Sequence, residues 1–426
     1  WLVDRDEFLQ IAALNNGSTA RELLSSSFNA ITVGRTDASH PYGTVAVDEI
    51  YTAGRTAPLI VTPVTPTSYA TPVLSAAAAL LIEVGHNDPY LSTDPVYMTT
   101  TNRNGDIIYN AERSEVIKAA LMAGADRFTN NSGSVEITDY RSIPDDRTEN
   151  RLDRRYGAGQ LNVYNSYRIV ASGEQNSAED HAEGQGAIGP EGFDYDPRFG
   201  GNDANATASY YFVADGVYTL LSAALVWNLR IDGGTPYAFD GTAMLYDMDL
   251  FLYDLTEGGL LVSDSSSRDE NTENLFVPLT GGHEYLLQVR PGPAQAAFNW
   301  DFALAWQIRP DTDADMVPDT VDAFPNHAAE WQDEDLDAMG DAFESLIIDF
   351  DLQDPYESLM DVLPEDDFDN DGFMNMDEFV SGTDPTQFDL VGDINGDCRV
   401  NMSDFYILSD NWGMTGENEA DLNGDE

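Results

Sequence analysis

A serine at the start of a long apolar stretch is the first feature with the chemistry of a catalyst. Ser68 lies in the segment 67–72, which runs directly into an alanine- and leucine-rich sequence. Free backbone N–H groups and the positive end of a helix dipole at such a position would stabilise a developing oxyanion. The pattern therefore predicts a fully buried helix whose first turn presents a hydroxyl suited to acyl transfer. A serine that only caps a core helix is the commoner alternative.

Short apolar strands are expected around this helix, and their order supports the catalytic interpretation. They are predicted at residues 11–17, 28–34 and 54–63, and a segment at 155–163 is expected to close the sheet. With Ser68, Ala70 and Pro72 in register, these segments resemble the C-terminal half of a subtilisin-like serine protease catalytic domain. The resemblance implies that Ser68 is the nucleophile and that Asn15 is an oxyanion-hole donor.

The general base of such a protease has no evident counterpart here. The resemblance places the catalytic Asp and His ahead of Asn15, where only fourteen residues stand. His40 is expected at the surface, and His86 is expected in a cap or loop after the serine helix. We therefore expect a fragment, truncated at both ends, of a serine endopeptidase; without its base the fragment should be nearly inert.

Alternating carboxylates further along the chain have the spacing of a cation-binding loop. Hard divalent cations prefer six to eight oxygen ligands, and alternate acids in a tight loop supply them. The pattern is that of an EF-hand calcium loop, and its ligands are predicted to be Asp367, Asp369, Asp371, the carbonyl of Phe373, and Glu378. A merely solvated acidic turn is the alternative.

Two acidic segments upstream resemble thrombospondin type 3 calcium repeats. The resemblance implies ligands at Asp311, Asp313, Asp315, Asp319 and Asp322 in the first repeat, and at Asp333, Asp335, Asp337, Asp341 and Glu344 in the second. Met316, Leu336 and Ala338 stand where glycine is usual in such loops, which leaves their calcium affinity open.

The C-terminal residues resemble the first half of a type I dockerin, a module that docks onto a cohesin. The implied calcium ligands are Asp393, Asn395, Asp397, Asn401 and Asp404. A second repeat begins at residue 420 and stops with the chain. The implied partner is a cohesin-type scaffold; one more structural calcium loop without a partner is the alternative.

The middle of the chain has a different composition. Residues 173–206 are small, polar and glycine-rich, which predicts a linker. Residues 207–309 hold short aromatic and β-branched runs between turns, which predicts an antiparallel β-sandwich. This part resembles the pre-peptidase C-terminal domains of secreted bacterial proteases. Asp247 and Asp249 could hold another calcium ion, although simple solvation is commoner.

Charge and hydropathy limit the partners. The chain has 76 acidic and 20 basic residues, a net charge of −56, and net −34 falls after residue 310. Such a charge repels nucleic acid and anionic membranes, so neither is expected as a partner. The longest apolar run, residues 75–84, is shorter than the ~18–20 residues of a membrane span. Calcium loops and a single cysteine favour an extracellular bacterial protein, secreted or associated with the cell surface.

The sequence thus predicts a multidomain chain. Its parts are a partial α/β parallel sheet (1–172), a linker (173–206), a β-sandwich (207–309), calcium repeats (310–387) and a truncated dockerin-like module (388–426). The leading hypothesis is a secreted, calcium-dependent serine endopeptidase that cleaves protein or peptide substrates through an acyl-enzyme. The alternative is a non-catalytic calcium-binding scaffold or cell-surface interaction protein with a degenerate protease domain.

Overall fold

The computed structural model describes most of the chain. The described residues are 2–19, 26–46, 50–94, 96–127, 147–180, 186–216, 218–232, 242–350, 356–387 and 402–411. The chain divides into two compact units, Trp1–Pro318 and Asp319–Glu426. Helices and several sheets are both present, which confirms a mixed α/β chain with more than one compact body.

A parallel sheet opens the first unit, after a short helix α1 (Leu2–Asp6). Its strands are β1 (Gln10–Ala13), β2 (Ala30–Arg35) and β3 (Ile60–Thr62), in that spatial order. Both strand pairs are parallel. Each of the three strands overlaps one of the predicted segments, although β1 begins and β2 ends one residue outside its segment. Strands that are buried throughout, such as β3, are typical of a parallel sheet covered by helices.

Helix α2 (Thr67–Asn87) follows β3 and carries the serine. Its buried residues recur at helical spacing and face the core: Ala70, Leu74, Ala77, Ala78 and Leu81. Tyr69, Val73 and Leu80 are exposed on its other side, so the prediction of a fully buried helix is wrong. By length and composition α2 could also cross a membrane, contrary to expectation. One such helix is weak evidence, because core helices pass the same test.

The rest of this layer is helical, apart from a hairpin. The hairpin consists of β4 (Thr99–Thr101) and β5 (Ile107–Tyr109), and the helices are α3 (Ser114–Ala123) and α4 (Val163–Ala171). The predicted closing strand at 155–163 is not a strand. Gln160 forms an isolated parallel bridge with Val61, and Val163 already begins α4. The side chain of Asn162 starts that helix early by accepting a hydrogen bond from the Asn165 N–H at 3.0 Å.

Two four-stranded antiparallel sheets complete the first unit. Their strands are β6 (Glu191–Phe199), β7 (Ala208–Val213), β8 (Tyr218–Val226), β11 (Met248–Asp254), β12 (Leu260–Ser265), β13 (Thr272–Thr280), β14 (Glu284–Pro291) and β15 (Trp300–Pro310); β9 (Arg230–Asp232) and β10 (Thr242–Met244) form a separate pair. The sheet orders are β12-β11-β14-β7 and β13-β8-β15-β6. Both contribute to one core, as expected for a sandwich.

The predicted linker is wrong where it includes β6. The Gly-rich sequence around this strand hides a buried alternation, in which Phe193 and Tyr195 enter the same core as α3 and α4. Hydrogen bonds join the layers: Ser222 Oγ donates to the Ala123 carbonyl at 2.7 Å, and Gln307 Nε2 donates to the Asn165 carbonyl at 3.1 Å. The predicted protease half and the predicted sandwich therefore belong to one compact unit.

The second unit is small. Its described helices are α5 (Asp341–Phe350), α6 (Asn375–Ser381) and α7 (Met402–Asn411). Its core consists of Met339, Phe343, Ile347, Val362 and Phe379. Phe379 lies at its centre, with edge-to-face contacts to Phe324 and Phe343 and a stacked contact to His327. Few apolar side chains are buried among the described residues of this unit, so we expect it to need other stabilising contacts.

Candidate functional site

Ser68 lies in the first turn of α2, one residue after the helix begins. The side chain is exposed, and its hydroxyl makes no hydrogen bond to any residue that the structure describes. Its backbone position, near the N-terminal end of a 21-residue helix, is the one predicted for an oxyanion-stabilised nucleophile.

Two asparagines follow β1, and Asn16, not the predicted oxyanion-hole donor Asn15, bonds to the start of this helix. Asn16 Oδ1 accepts hydrogen bonds from the Thr67 N–H at 2.9 Å and from the Thr67 hydroxyl at 3.1 Å. Asn15 Oδ1 instead accepts from the N–H of its own neighbour at 2.8 Å. Asn16 thus satisfies one of the free N–H groups at the start of α2, and Asn15 makes no hydrogen bond to Ser68.

His40 is buried, so the prediction of a surface residue is wrong. Its Nδ1 accepts from the Arg35 N–H at 3.0 Å, and its Nε2 lies 2.8 Å from the Arg155 carbonyl. This pair of partners assigns the proton to Nε2 of a neutral ring. Burial lowers the pKa of His40 below its ordinary value. The ring also touches the backbone at Gly34, where an added Cβ would lie 2.8 Å from it. His40 is therefore a structural bridge.

His86 lies in the last turn of α2, at the predicted end of the serine helix. Its exposed ring places Nδ1 3.1 Å from Oε2 of the buried Glu112. Neither histidine contacts Ser68, and no other described histidine does so. Among the described residues, Ser68 accordingly has no general base.

Three groups of aspartates converge elsewhere in the chain. Within each group, three carboxylate oxygens lie within 4.8 Å of one another, as ligands of one metal ion must. The groups are Asp311, Asp313 and Asp315; Asp333, Asp335 and Asp337; and Asp367, Asp369 and Asp371. All belong to the predicted metal ligands, and the structure brings each triplet together as predicted.

The three loops share one backbone design. The first aspartate accepts a hydrogen bond from the N–H five residues later, which comes from Met316, Ala338 and Gly372 at 3.0, 3.1 and 3.0 Å. The third aspartate accepts from the N–H two residues later, at 2.6, 2.8 and 2.7 Å. These contacts curl the loop and hold the carboxylates around a common centre. Sequences that differ at most other positions thus reach the same geometry.

Left-handed residues make this curl, and only one loop uses glycine for it. The fourth and sixth loop residues have positive φ throughout: Ala314 and Met316 at 63° and 75°, Leu336 and Ala338 at 65° and 77°, and Asn370 and Gly372 at 63° and 101°. A non-glycine side chain in this region costs roughly 1–2 kcal/mol. The absence of glycine therefore does not prevent the fold of the first two loops, but it strains them.

The second loop has an additional buried acid. Glu344 occupies the twelfth loop position, is fully buried in the first turns of α5, and neither of its oxygens has a hydrogen-bond partner. Burial, and then the nearby carboxylates led by Asp337 and Asp335, raise the pKa of Glu344 to about 9. A buried carboxylate without a partner is costly, whereas a divalent cation would satisfy both oxygens. The donor set therefore fits a hard cation.

The third loop matches the EF-hand pattern in position as well as in sequence. α6 begins at Asn375, the ninth loop position, and Glu378, the twelfth, is buried. In the second loop, α5 likewise begins at the ninth position, Asp341. The side chain of Asn375 bonds within the protein: its Nδ2 donates to the Leu363 carbonyl at 3.0 Å. In both the second and the third loop, a helix therefore begins before the loop ends, as in an EF-hand.

Two of the remaining predicted ligands, Asp319 and Asp322, belong to the second unit. The triplet with which they were predicted to bind calcium, Asp311, Asp313 and Asp315, belongs to the first. Asp393, Asn395, Asp397 and Asn401 lie outside the described residues, and so does the side chain of Asp404 on α7.

The acids at the start of β11 do not form such a group. Asp249 is buried, and burial together with Asp247 raises its pKa to about 6. Arg268 is close enough to oppose this shift. Within the part of the chain that the structure describes, these two acids are not part of a convergent triplet.

Comparison with known proteins adds little. No protein-family model and no curated protein matches the chain. One solved structure with local similarity is PliG of Aeromonas hydrophila, a periplasmic inhibitor of g-type lysozyme. It is 14% identical, the match covers 28% of this chain and 82% of that one, and the TM-score is 0.17. A similarity at this level carries no argument about fold or function.

Proposed function

We propose that this protein binds calcium ions through its acidic loops, and that the ions of the second and third loops stabilise its second unit. The observation that carries the proposal is Glu344. It is a fully buried carboxylate, without a hydrogen-bond partner, beside three converging aspartates. Extracellular calcium concentrations would fill loops of ordinary affinity, which supports a secreted or cell-surface location.

Calorimetric titration of the calcium-free full-length chain tests this function. Glu344→Gln keeps the size of the side chain but removes the charge, so we expect one site to weaken by about 10-fold or more. Glu357→Gln is the matched control, because Glu357 is exposed and lies outside the three loops. Calcium binding by Glu344→Gln that equals that of the wild type would refute the proposal for this loop.

A second candidate function concerns Ser68. We propose that Ser68 is the nucleophile of a subtilisin-like endopeptidase in a longer parent protein that supplies the histidine and the aspartate. Its exposed hydroxyl at the start of α2, directly after a parallel β-sheet, favours this function. The module resembling dockerin would then attach the enzyme to a cohesin-type scaffold. The alternative is a scaffold protein in which the protease-like part is degenerate.

Active-site labelling separates these alternatives. A fluorophosphonate should label the full-length parent and not its Ser68→Ala variant, whereas the present chain should react far more slowly. Ser75→Ala is the matched control, because Ser75 is also exposed on α2 and its hydroxyl only donates to the Thr71 carbonyl. Labelling that survives Ser68→Ala would exclude Ser68 as the nucleophile.

A further inference from the structure

A pocket of about 430 Å³ opens on the outer face of the sheet β12-β11-β14-β7 in the first unit. Alternate residues of β11 point to opposite sides of this sheet. Met248, Leu250 and Leu252 enter the sandwich core, whereas Asp249 and Phe251 line the pocket. The volume lies within the range of about 300–1,000 Å³ that is usual for small-ligand sites.

The lining of this pocket is balanced in charge, unlike the chain as a whole. Its charged members are Asp247, Asp249, Arg268 and Arg290, and its other members are a phenylalanine, a serine and two prolines. The chain has 76 acidic and 20 basic residues, so equal numbers of both signs are unusual for its surface. The net charge of the lining therefore favours neither a metal ion nor an anion, and a neutral ligand fits it best.

Asp249 is buried at the floor of the pocket without a hydrogen bond. It is 3% exposed, and its carboxylate makes no hydrogen bond to any residue that the structure describes. The strand register places Arg290 directly opposite Asp249. Arg290 is engaged elsewhere: its Nε donates to Gln288 Oε1, and its guanidinium carbon lies 5.4 Å from the ring centroids of both Phe251 and Tyr253. A buried carboxylate in this state is costly unless a ligand donates to it.

The second acid of the pocket is held in place by its surroundings. Asp247 Oδ1 is buried and has no hydrogen-bond partner among the described residues. A Cβ at Gly292 would collide with the Asp247 carboxylate, so only glycine leaves room for that carboxylate. Two carboxylates with unused acceptor oxygens thus line one pocket, and a ligand must supply hydrogen-bond donors to them.

We propose that this pocket binds a neutral saccharide. Sugar hydroxyls would donate to Asp247 and Asp249, and other hydroxyls would accept from the Arg268 guanidinium. A C–H face of the sugar ring would pack on Phe251. Phe251 is only partly exposed and stacks on Tyr253, with ring centroids 6.1 Å apart, so its orientation is fixed before binding.

A peptide strand fits the pocket less well than a saccharide. Peptides that extend a sheet pair with the unpaired backbone groups of an edge strand. The floor of the pocket is formed by β11, which pairs with β12 and β14, and by β14, which pairs with β11 and β7. The backbone of the floor is therefore already paired, and recognition must come from the side chains.

A glycan array tests the proposal with the fluorescently labelled full chain. The array carries neutral oligosaccharides of glucose, galactose, mannose and N-acetylglucosamine, together with acidic glycans and with collagen and casein peptides. We expect retention by at least one neutral oligosaccharide. Retention by none of them, or only by the peptides or the acidic glycans, overturns the proposal.

Calorimetric titration with the strongest neutral oligosaccharide then tests the contacts. Asp249→Asn should raise Kd by about 10-fold or more, because an amide oxygen accepts hydrogen bonds more weakly than a carboxylate. Phe251→Ala should raise Kd by about 3- to 10-fold. Asp215→Asn and Tyr218→Ala are the matched controls, exposed elsewhere in the same unit, and should bind as the wild type does. An unchanged Kd in Asp249→Asn and Phe251→Ala would overturn the proposal.

A third variant keeps the test decisive if the first two do not fold. Arg268 is exposed and makes no hydrogen bond or ion pair with the described residues, so Arg268→Met should fold normally. We expect its Kd to rise by about 5-fold or more, and wild-type binding by this variant would contradict the site. Glu344→Gln and Ser68→Ala should bind the oligosaccharide as the wild type does, so the result is independent of the two functions proposed above.

Discussion

Neutralising one aspartate of the second loop should have opposite effects with and without calcium. The three carboxylate oxygens of this loop lie within 4.8 Å of one another. At that distance one pair repels by about 0.9 kcal/mol in bulk water and about 3.5 kcal/mol at an effective dielectric constant of 20. Asp335→Asn removes two such pairs. Among the described residues no hydrogen bond reaches the Asp335 carboxylate, so the change breaks none.

The repulsion removed per pair should be near the value for bulk water, because these side chains are only half-buried. We expect calcium-free Asp335→Asn to stabilise the second unit by about 1–2 kcal/mol, after solvent screening. In calcium the same change removes a charged ligand, so affinity should fall by about 10-fold or more and the variant should become the less stable protein.

Hydrogen exchange of the α5 amides measures both effects, because α5 follows the loop directly. Protection should rise roughly 5- to 30-fold over the wild type in chelator and fall below it in calcium. Asp349→Asn, an exposed acid on the same helix, should shift protection in the same direction under both conditions. Lower protection of Asp335→Asn in both conditions would show that repulsion does not govern the loop.

Three further predictions concern other parts of the chain. Burial, assisted by the nearby Arg55, lowers the pKa of Lys118 to about 7, so between pH 7 and 10 the unfolded chain binds the extra proton. Stability should then rise with pH across this window by up to about 1.4 kcal/mol per unit, and urea unfolding of Lys118→Met should show a flatter profile. Leu336→Gly, at an exposed position with φ of 65°, should stabilise the second unit by about 1 kcal/mol in chelator, as measured by urea unfolding; a loss of stability would contradict the assigned strain. Asn16→Ala should lower the melting temperature by the equivalent of about 1 kcal/mol, whereas Asn15→Ala should have little effect, because only Asn16 bonds to the start of α2.

Much of the local structure could be predicted, because the relevant signals are short in range. The spacing of Asp367, Asp369 and Asp371 defines a ligand triplet by itself, since a tight loop brings alternate side chains to one centre. The three parallel strands could likewise be predicted from short apolar runs between turns. β6 escaped prediction, because its alternation of buried aromatics and acids lies in a sequence that is otherwise small and polar.

The candidate catalytic site shows where sequence reasoning ends. The position of Ser68 in the first turn of α2 could be predicted, because the start of a helix depends on residues close to it in the sequence. Which asparagine contacts that helix depends on how β1 ends in space: Asn16 bonds to Thr67, whereas Asn15, the predicted oxyanion-hole donor, accepts from the N–H of its neighbour. His40 resembled a loop residue, yet Arg155, 115 positions away, provides a carbonyl that holds its ring in the interior. A contact between residues so far apart in the sequence does not produce a pattern from which it could be predicted.

The sequence by itself thus determined the acidic loops and the start of the serine helix, because each depends on residues within about a dozen positions of one another. It also determined the large negative charge, which is a matter of composition alone. Tertiary structure alone decided which charges are buried and which lack a partner. Asp194 and Asp196 look like ordinary surface acids in the sequence, and they become buried only when β6 is covered by distant segments. The cost of a buried charge is set by everything packed around it, and only the folded chain fixes that environment.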